Sequence, residues 1–196
     1  GTSFGYPVSA MGAHVSVSPN LQTGRRTPLE TRAAVAMAGV FGYELDVRRL
    51  DQEDRERIKE QIRWYKQYQE LILYGDYYRL TPVGENGEFA AWQSVSRDQQ
   101  TAVVSAVCLH ARSNPIFLRV RLKGLKENRW YRVRQERLTE SAREDKGQEA
   151  GAFCREEKEL ICQGSGLMYG GVNLPVFKRD YESVRYVIEI LDEKEG

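Results

Sequence analysis

Residues 11–46, MGAHVSVSPNLQTGRRTPLETRAAVAMAGVFGYELD, read in turn as strand, loop, helix and strand, the rhythm of a parallel sheet or barrel. In the first strand Met11, Ala13, Val15 and Val17 alternate with Gly12, His14 and Ser16, so one side is apolar and the other polar. Helix signals follow: the Thr27 hydroxyl is placed to cap, Pro28 suits the first helical position, and Glu30 has capping-box spacing. Leu29, Ala33, Ala36, Met37 and Val40 make an inward stripe, and Gly39 offers a left-handed exit. The second strand repeats the alternation, with Phe41, Tyr43, Leu45 and Val47 on one side and Gly42, Glu44 and Asp46 on the other.

In a (β/α)8 barrel the helices cover the outer, apolar side of each strand. That would turn His14, Ser16, Glu44 and Asp46 into the lumen near its carboxyl-end mouth, where barrel enzymes do chemistry. The loop Ser18–Arg26 leaves the first strand at that end, and Asn20, Gln22 and Arg25 are of the type that hydrogen-bond sugar hydroxyls. Equally, a Ser-Pro-Asn turn and a Thr-Gly break are ordinary loop chemistry, with the arginines solvated or paired. Glu44 and Asp46, two residues apart on one strand face, would be about 6.6 Å apart. Carboxylates on one strand cannot flank a scissile bond from two sides, so they are expected to be structural, paired with Arg32 or a lumen hydroxyl. His14 is likewise expected to be a satisfied lumen histidine, and Ser16 lacks a partner base. No catalytic residue is nominated. Two strands also cannot close a barrel, so this reading predicts that the chain is part of something larger.

Downstream, Asp51 should cap a long helix whose stripe is Ile58, Ile62, Tyr65 and Ile72, widened by Trp64, Tyr68 and Leu71. Near Leu71 the period switches from helical to alternating. Strands are expected over Leu71–Leu80, Phe89–Val95, the apolar run Thr101–His110, Ile116–Leu122, Trp130–Arg134 and Val184–Ile190. Turns fall at Gly84–Gly87, Arg97-Asp98 and Ser113-Asn114-Pro115. The run Thr101–His110 should be central and buried on both faces. Residues 135–151 are dominated by charge and predict a loop or a short surface helix, and Gly164–Pro175 reads as a bulged strand. About seven strands joined by turns predict a small sandwich.

The 196 residues are 41% hydrophobic, enough for a sizeable core, and 29 basic residues nearly cancel 28 acidic ones. No field favours nucleic acid or an anionic membrane, and no run approaches a bilayer span. Three cysteines without metal or redox spacing (Cys108, Cys154, Cys162) and no secretion signal point to a reducing, cytoplasmic setting. With His14 and His110 in separate segments, no metal or other cofactor is expected.

The run MGAHVSVSPNLQTGRRTPLETR followed by FGYELD resembles, nearly residue for residue, the end of the catalytic barrel in bacterial-type α-galactosidases (melibiases) of glycoside hydrolase family 36. GTSFGYPVSA is similar to the approach to the seventh barrel strand, and AAWQSVS and GSGLMYGGVNLP are similar to pieces of the family's C-terminal β-domain. The resemblance implies an α/β plus all-β chain. Residues 1–70 would be the last two β/α units of a (β/α)8 (TIM) barrel, and residues 71–196 a C-terminal antiparallel β-sandwich. The whole enzyme would release terminal α-linked galactose from melibiose- and raffinose-type sugars with retention, as a homo-oligomer. Its catalytic aspartates belong to earlier barrel strands, and neither motif occurs here. The chain alone is therefore expected to be an inactive C-terminal fragment whose partners are the missing N-terminal and barrel segments and, in the intact enzyme, α-galactosides. Where the family usually carries a histidine this chain has Leu21, so Asn20, Gln22 and Arg25 remain candidates for the substrate-side loop. The alternative is a non-catalytic carbohydrate-binding or assembly module, which needs aromatics exposed on one sheet face; Trp92 and Trp130 are its candidates.

Overall fold

A computed structural model describes residues 2–82, 87–114, 117–136 and 159–191. The chain opens with short 3-10 turns and then forms β1 (Gly12–Ser16), the crossover helix α1 (Leu29–Ala36) and β2 (Val40–Glu44). β1 and β2 are parallel, in register from Gly12↔Val40 to Ser16↔Glu44. Alternation has its expected effect: Val15 is fully buried against Leu29, Ala33, Ala36 and Met37, while His14 and Ser16 face outward. α2 (Gln52–Tyr74) then lies on the same core through Ile58, Tyr65, Tyr68, Ile72 and Leu73. Tyr65 and Tyr68 are buried in that core, Trp64 is half-buried beside them, and Tyr74 at the helix end is exposed.

Several local expectations are corrected. Pro28, not Thr27, is the N-cap residue, in an extended conformation and with no side-chain cap. Glu30 does not reach back to close a capping box. It is buried and pairs at 3.4 Å with Arg57 on α2, while the Thr27 carbonyl accepts from Arg32 Nε. Gly39 does not exit left-handed; a Cβ there would lie 2.6 Å from the Met11 carbonyl oxygen, so only glycine lets β2 start beside β1. Val40 is exposed at the head of β2 rather than closing the α1 stripe. β2 stops at Glu44, and Val47 lies exposed in a 3-10 turn, Val47–Arg49, that Asp46 caps by accepting from the Arg48 amide. Asp51 caps α2 as expected, accepting from the Asp54 amide at 2.8 Å. Leu71–Tyr74, however, remain helical: the change of period comes at Gly75, where a Cβ would meet the carbonyl oxygens of Val95 and Leu71 at 2.4 and 2.5 Å.

The antiparallel part comprises β3 (Asp76–Arg79), β4 (Phe89–Val95), β5 (Thr101–Cys108), β6 (Arg119–Val120), β7 (Trp130–Glu136), β8 (Glu159–Gln163), β9 (Val172–Asn173) and β10 (Ser183–Ile190). Six of them form one sheet in the order β3-β4-β5-β10-β7-β8, and β6 pairs with β9 in a second, two-stranded sheet. The apolar run of β5 is central and buried on both faces, as its composition requires. One face of the large sheet (Ala91, Val104, Tyr131, Val133, Tyr186, Ile188) packs on Val120, Leu122, Leu167, Val172 and Phe177 from the small sheet and its flanking loops. The other face meets the helices through Val103 and Val187. The expected sandwich is thus an unequal one, with a helical layer on its far side. The strand expected through Leu122 shortens to Arg119–Val120, because the Leu122 amide turns to the Leu167 carbonyl of a π-helical turn, Gly166–Gly170. That turn and β9 replace the bulged strand expected over Gly164–Pro175. The readings at 84–86, at Pro115 and Ile116, over the charged stretch from 137 and at Cys154 lie outside the described residues.

Candidate functional site

Parallel pairing brings the carboxyl ends of β1 and β2 together, with Ser16 beside Glu44. His14 Nδ1 lies 4.0 Å from Glu44 Oε2, and both side chains are more than half exposed, 58% and 77%. A contact this open to water contributes little to stability. Its value would lie in presenting a donor and an acceptor on one polar wall. Behind that wall β2 is pinned to α2: the Tyr65 hydroxyl donates to the Gly39 carbonyl at 2.8 Å and accepts from the Phe41 amide at 3.3 Å. Tyr43 donates to Gln61, and its burial pushes the phenol well above the usual tyrosine range.

Asp46 does not join Glu44. It lies beyond the strand, where the Arg48 guanidinium donates to it at 2.9 Å, Arg49 lies 3.6 Å away, and the Arg48 contacts hold its carboxyl below the usual range. The expected pair of carboxylates on one face is therefore dissolved by a capping interaction. Arg32, expected as their partner, instead donates to the carbonyls of Ser16 and Thr27.

Those two bonds fasten the loop that leaves β1. Within it, the Asn20 side-chain oxygen accepts from the amides of Gln22 (3.0 Å) and Thr23 (2.9 Å) and from the Thr23 hydroxyl (3.0 Å). The Asn20 amide donates to the Arg25 carbonyl, and Gly24, at φ +66°, donates to the Asn20 carbonyl. The Ser18–Pro19 peptide bond is cis. Asn20 thus shapes the loop, Gln22 stands in solvent at its tip beside Leu21, and Arg25 extends over the Tyr181 ring at 5.1 Å. The three loop candidates share a loop but not a role.

Tyr181 is a residue that sequence reasoning missed. Its carbonyl and the Ser183 hydroxyl accept from Thr31 on α1, so Tyr181, at φ +63°, ties loop, crossover helix and large sheet together. Nothing in Asp180-Tyr181-Glu182 announces a left-handed tyrosine.

Chemically, this wall can hydrogen-bond hydroxyls. It does not offer the two facing carboxyls, about 5–5.5 Å apart, that retaining glycoside hydrolysis needs. Among the described residues no group of three or more His, Cys, Asp or Glu side chains gathers into a metal site. Of the two tryptophans nominated as a sugar platform, Trp92 is half-buried under the helices and Trp130 is 44% exposed on the outlying β7. They form no exposed row.

Comparison with known proteins adds the following. Residues 1–75 match the family described as Melibiase, and residues 89–188 match the glycosyl hydrolase family 36 C-terminal domain. The chain is 43% identical over 193 residues to the bifunctional alpha-galactosidase/sucrose kinase AgaSK of Mediterraneibacter gnavus, covering 98% of this chain but 18% of that protein. The alpha-galactosidase of Lactobacillus brevis superposes with a TM-score of 0.82 at 32% identity, over 100% of this chain and 24% of that one. A variant of alpha-galactosidase AgaA from Geobacillus stearothermophilus, solved in complex with raffinose, gives 0.79 at 35% identity, over 95% and 23%. The chain thus spans less than a quarter of the length of these relatives.

Proposed function

From the fact that this chain belongs to glycoside hydrolase family 36, we propose that it forms the C-terminal part of a retaining α-galactosidase acting on terminal α-linked galactose of melibiose- and raffinose-type sugars. The two residues that do the chemistry would then be carboxylates carried outside these 196 residues. The observation that carries this reading is the β1–α1–β2–α2 arrangement: a two-stranded parallel sheet whose outer edges are unpaired among the described residues, with a polar wall at its carboxyl ends. Such edges need neighbouring strands, and six further β/α units would supply them while closing a barrel around His14, Ser16 and Glu44. In this reading the barrel part ends with α2, moving the division from residue 70 to Gly75, and the antiparallel sheets are the C-terminal domain.

The loop 18–27 then reaches the mouth of the sugar pocket, with Gln22 and Arg25 contacting the leaving-group side and Asn20 holding their backbone in place. Free thiols at Cys108 and Cys162 support a cytoplasmic location, and the open edges support assembly with the remainder of the enzyme, which we expect to be a homo-oligomer. A carbohydrate-binding module is the weaker reading, since Trp92 is half-buried under the helices and forms no exposed row with Trp130. The test is catalytic: the purified chain should release no galactose from raffinose or an aryl α-galactoside above background, while the same chain joined to its upstream barrel should do so. Turnover by the chain alone that disappears in Glu44→Gln would overturn the assignment.

A further inference from the structure

Tyr181 lies just before β10, and its backbone is held by two separate elements. Its amide donates to the Cys108 carbonyl at the end of β5 at 2.9 Å, and its carbonyl accepts from the Thr31 hydroxyl of α1 at 2.5 Å. Its neighbours are held as well: the Asp180 carboxylate accepts from the Ala111 amide at 2.7 Å, and the Glu182 carbonyl accepts from the Cys108 amide at 2.8 Å. At φ +63° Tyr181 occupies the left-handed region, which a bulky side chain enters at a cost and keeps only where its surroundings fix it. These bonds supply that fixation.

What the strained backbone provides is a direction for the ring. The half-buried ring faces the Arg25 guanidinium, with Arg25 Cζ 5.1 Å from its centroid. Arg25 is exposed, yet it projects from a backbone that is itself fastened: its carbonyl accepts from the Asn20 amide at 2.9 Å, and the Asn20 side-chain oxygen holds the amides of Gln22 and Thr23. A ring face attracts a cation through its quadrupole and takes no lone-pair position, so guanidinium N–H donors are left to meet hydroxyls. An exposed arginine otherwise samples many rotamers and surrenders that freedom when it engages a ligand. The Tyr181 ring restricts it beforehand.

We propose that Tyr181 is a positioning residue for leaving-group selectivity: its ring holds the Arg25 guanidinium at the mouth of the sugar pocket, so that the antiparallel domain takes part in choosing between sugar and aryl leaving groups. This rests on the reading that the loop 18–27 reaches that mouth. Tyr181 touches no substrate and acts through Arg25. Its anchors on β5 and α1 fix the ring relative to both parts of the chain, which makes the selectivity of the loop a property of how the two parts are joined.

Two measurements test it, one with sugars and one without. Tyr181→Leu removes the ring face, whereas Tyr181→Phe keeps the face and loses only the hydroxyl. In the intact enzyme Tyr181→Leu should lower kcat/KM for raffinose relative to an aryl α-galactoside about two- to fivefold, the magnitude of one exposed cation–π contact, and should do so through KM. Tyr181→Phe should restore the wild-type ratio, and Arg25→Ala should shift it at least as far as Tyr181→Leu. A simple loss of folded enzyme would lower both substrates equally. Without sugar, trypsin must draw Arg25 into its own pocket to cut after it, so cleavage there in the 196-residue chain reports how often the guanidinium leaves the ring. That cleavage should be about two- to fivefold faster in Tyr181→Leu than in wild type, while cleavage after Arg63, inside α2, stays unchanged. Should Tyr181→Leu fail to fold, Tyr181→Asn, which tolerates a left-handed backbone, carries the same tests. Unchanged cleavage after Arg25, or a rise no larger than that after Arg63, would overturn the proposal. So would a raffinose-to-aryl ratio that Arg25→Ala moves and Tyr181→Leu does not, a result that leaves the loop at the pocket. A ratio moved by neither variant would overturn the placement of the loop and the proposal with it.

Discussion

Arg57 on α2 reaches Glu30 on α1 at 3.4 Å, and Glu30 is 4% exposed. The same guanidinium pairs with Glu53 and, at 3.6 Å, with Asp54 on its own helix, so one cation serves a buried carboxylate and the amino-terminal turns of α2 together. Removing it takes this cation away from the buried carboxylate. Arg57→Ala should therefore cost about 3 kcal/mol in urea unfolding, in the range for breaking a buried pair by losing one partner. The double variant Glu30→Leu/Arg57→Met should recover much of that loss; if it is no more stable than Arg57→Ala, the cost does not come from the carboxylate's loss of this cation.

Two glycines of the parallel unit should respond in opposite ways. Gly39→Ala places a methyl 2.6 Å from the Met11 carbonyl oxygen and should destabilise by about 1–3 kcal/mol, as overpacking does. Gly42→Ala meets only His14 Cδ2 at 4.0 Å and should be close to neutral. Chemical denaturation of both variants checks the contrast.

Burial raises the phenols of Tyr43 and Tyr186 well above the ordinary value of 10.0. Below that value both folded and unfolded chains hold these protons. Above it the unfolded chain releases them while the folded chain keeps them, so their contribution is lost as pH rises beyond about 10. Tyrosinate absorbance should therefore show a fraction of the tyrosines titrating only together with unfolding. Tyr186→Phe should reduce the alkaline sensitivity while forfeiting a hydrogen bond to the Asn173 carbonyl.

For the loop, measurements belong to the intact enzyme. Gln22→Ala should change the ratio of raffinose to aryl-galactoside turnover by about 1–2 kcal/mol, the magnitude of one lost hydrogen bond. Asn20→Ala should lower turnover of both substrates, because three bonds internal to the loop disappear. Equal and unchanged kinetics in the two variants would remove the loop from the pocket.

Where periodicity and burial coincide, the architecture is legible from residues alone. Val15 between His14 and Ser16 marks the inner side of β1, and the unbroken apolar run of β5 announces a central strand. Interactions between distant segments defeat this reading. Asp46 looks like the next inward position of a strand until Arg48 supplies a cap, and Leu71–Tyr74 look like strand until α2 is continued by packing against the sheet. Arg185 alternates with Val184 and Tyr186 and so reads as solvent-facing; only a helical layer laid over that face buries it. The polar wall was legible in outline, since its strand positions follow from alternation. The role of Asn20 was not, because an Asx turn spends the very oxygen that a sugar contact would use.

β10 lies between β5 and β7, in the middle of the six-stranded sheet, although it is the last in sequence of the described strands. A ribosome delivers β3, β4 and β5 first, and β5 then waits with one edge unpaired while some seventy-five further residues emerge. Until Ser183–Ile190 appear, β7 and β8 have no sheet to join, and Thr31 lacks the Tyr181 carbonyl it will hold. Assembly of the large sheet is therefore a closing step that waits for β10. A nascent chain stalled before β10 would present two half-sheets with open edges, the species for which a chaperone is most needed.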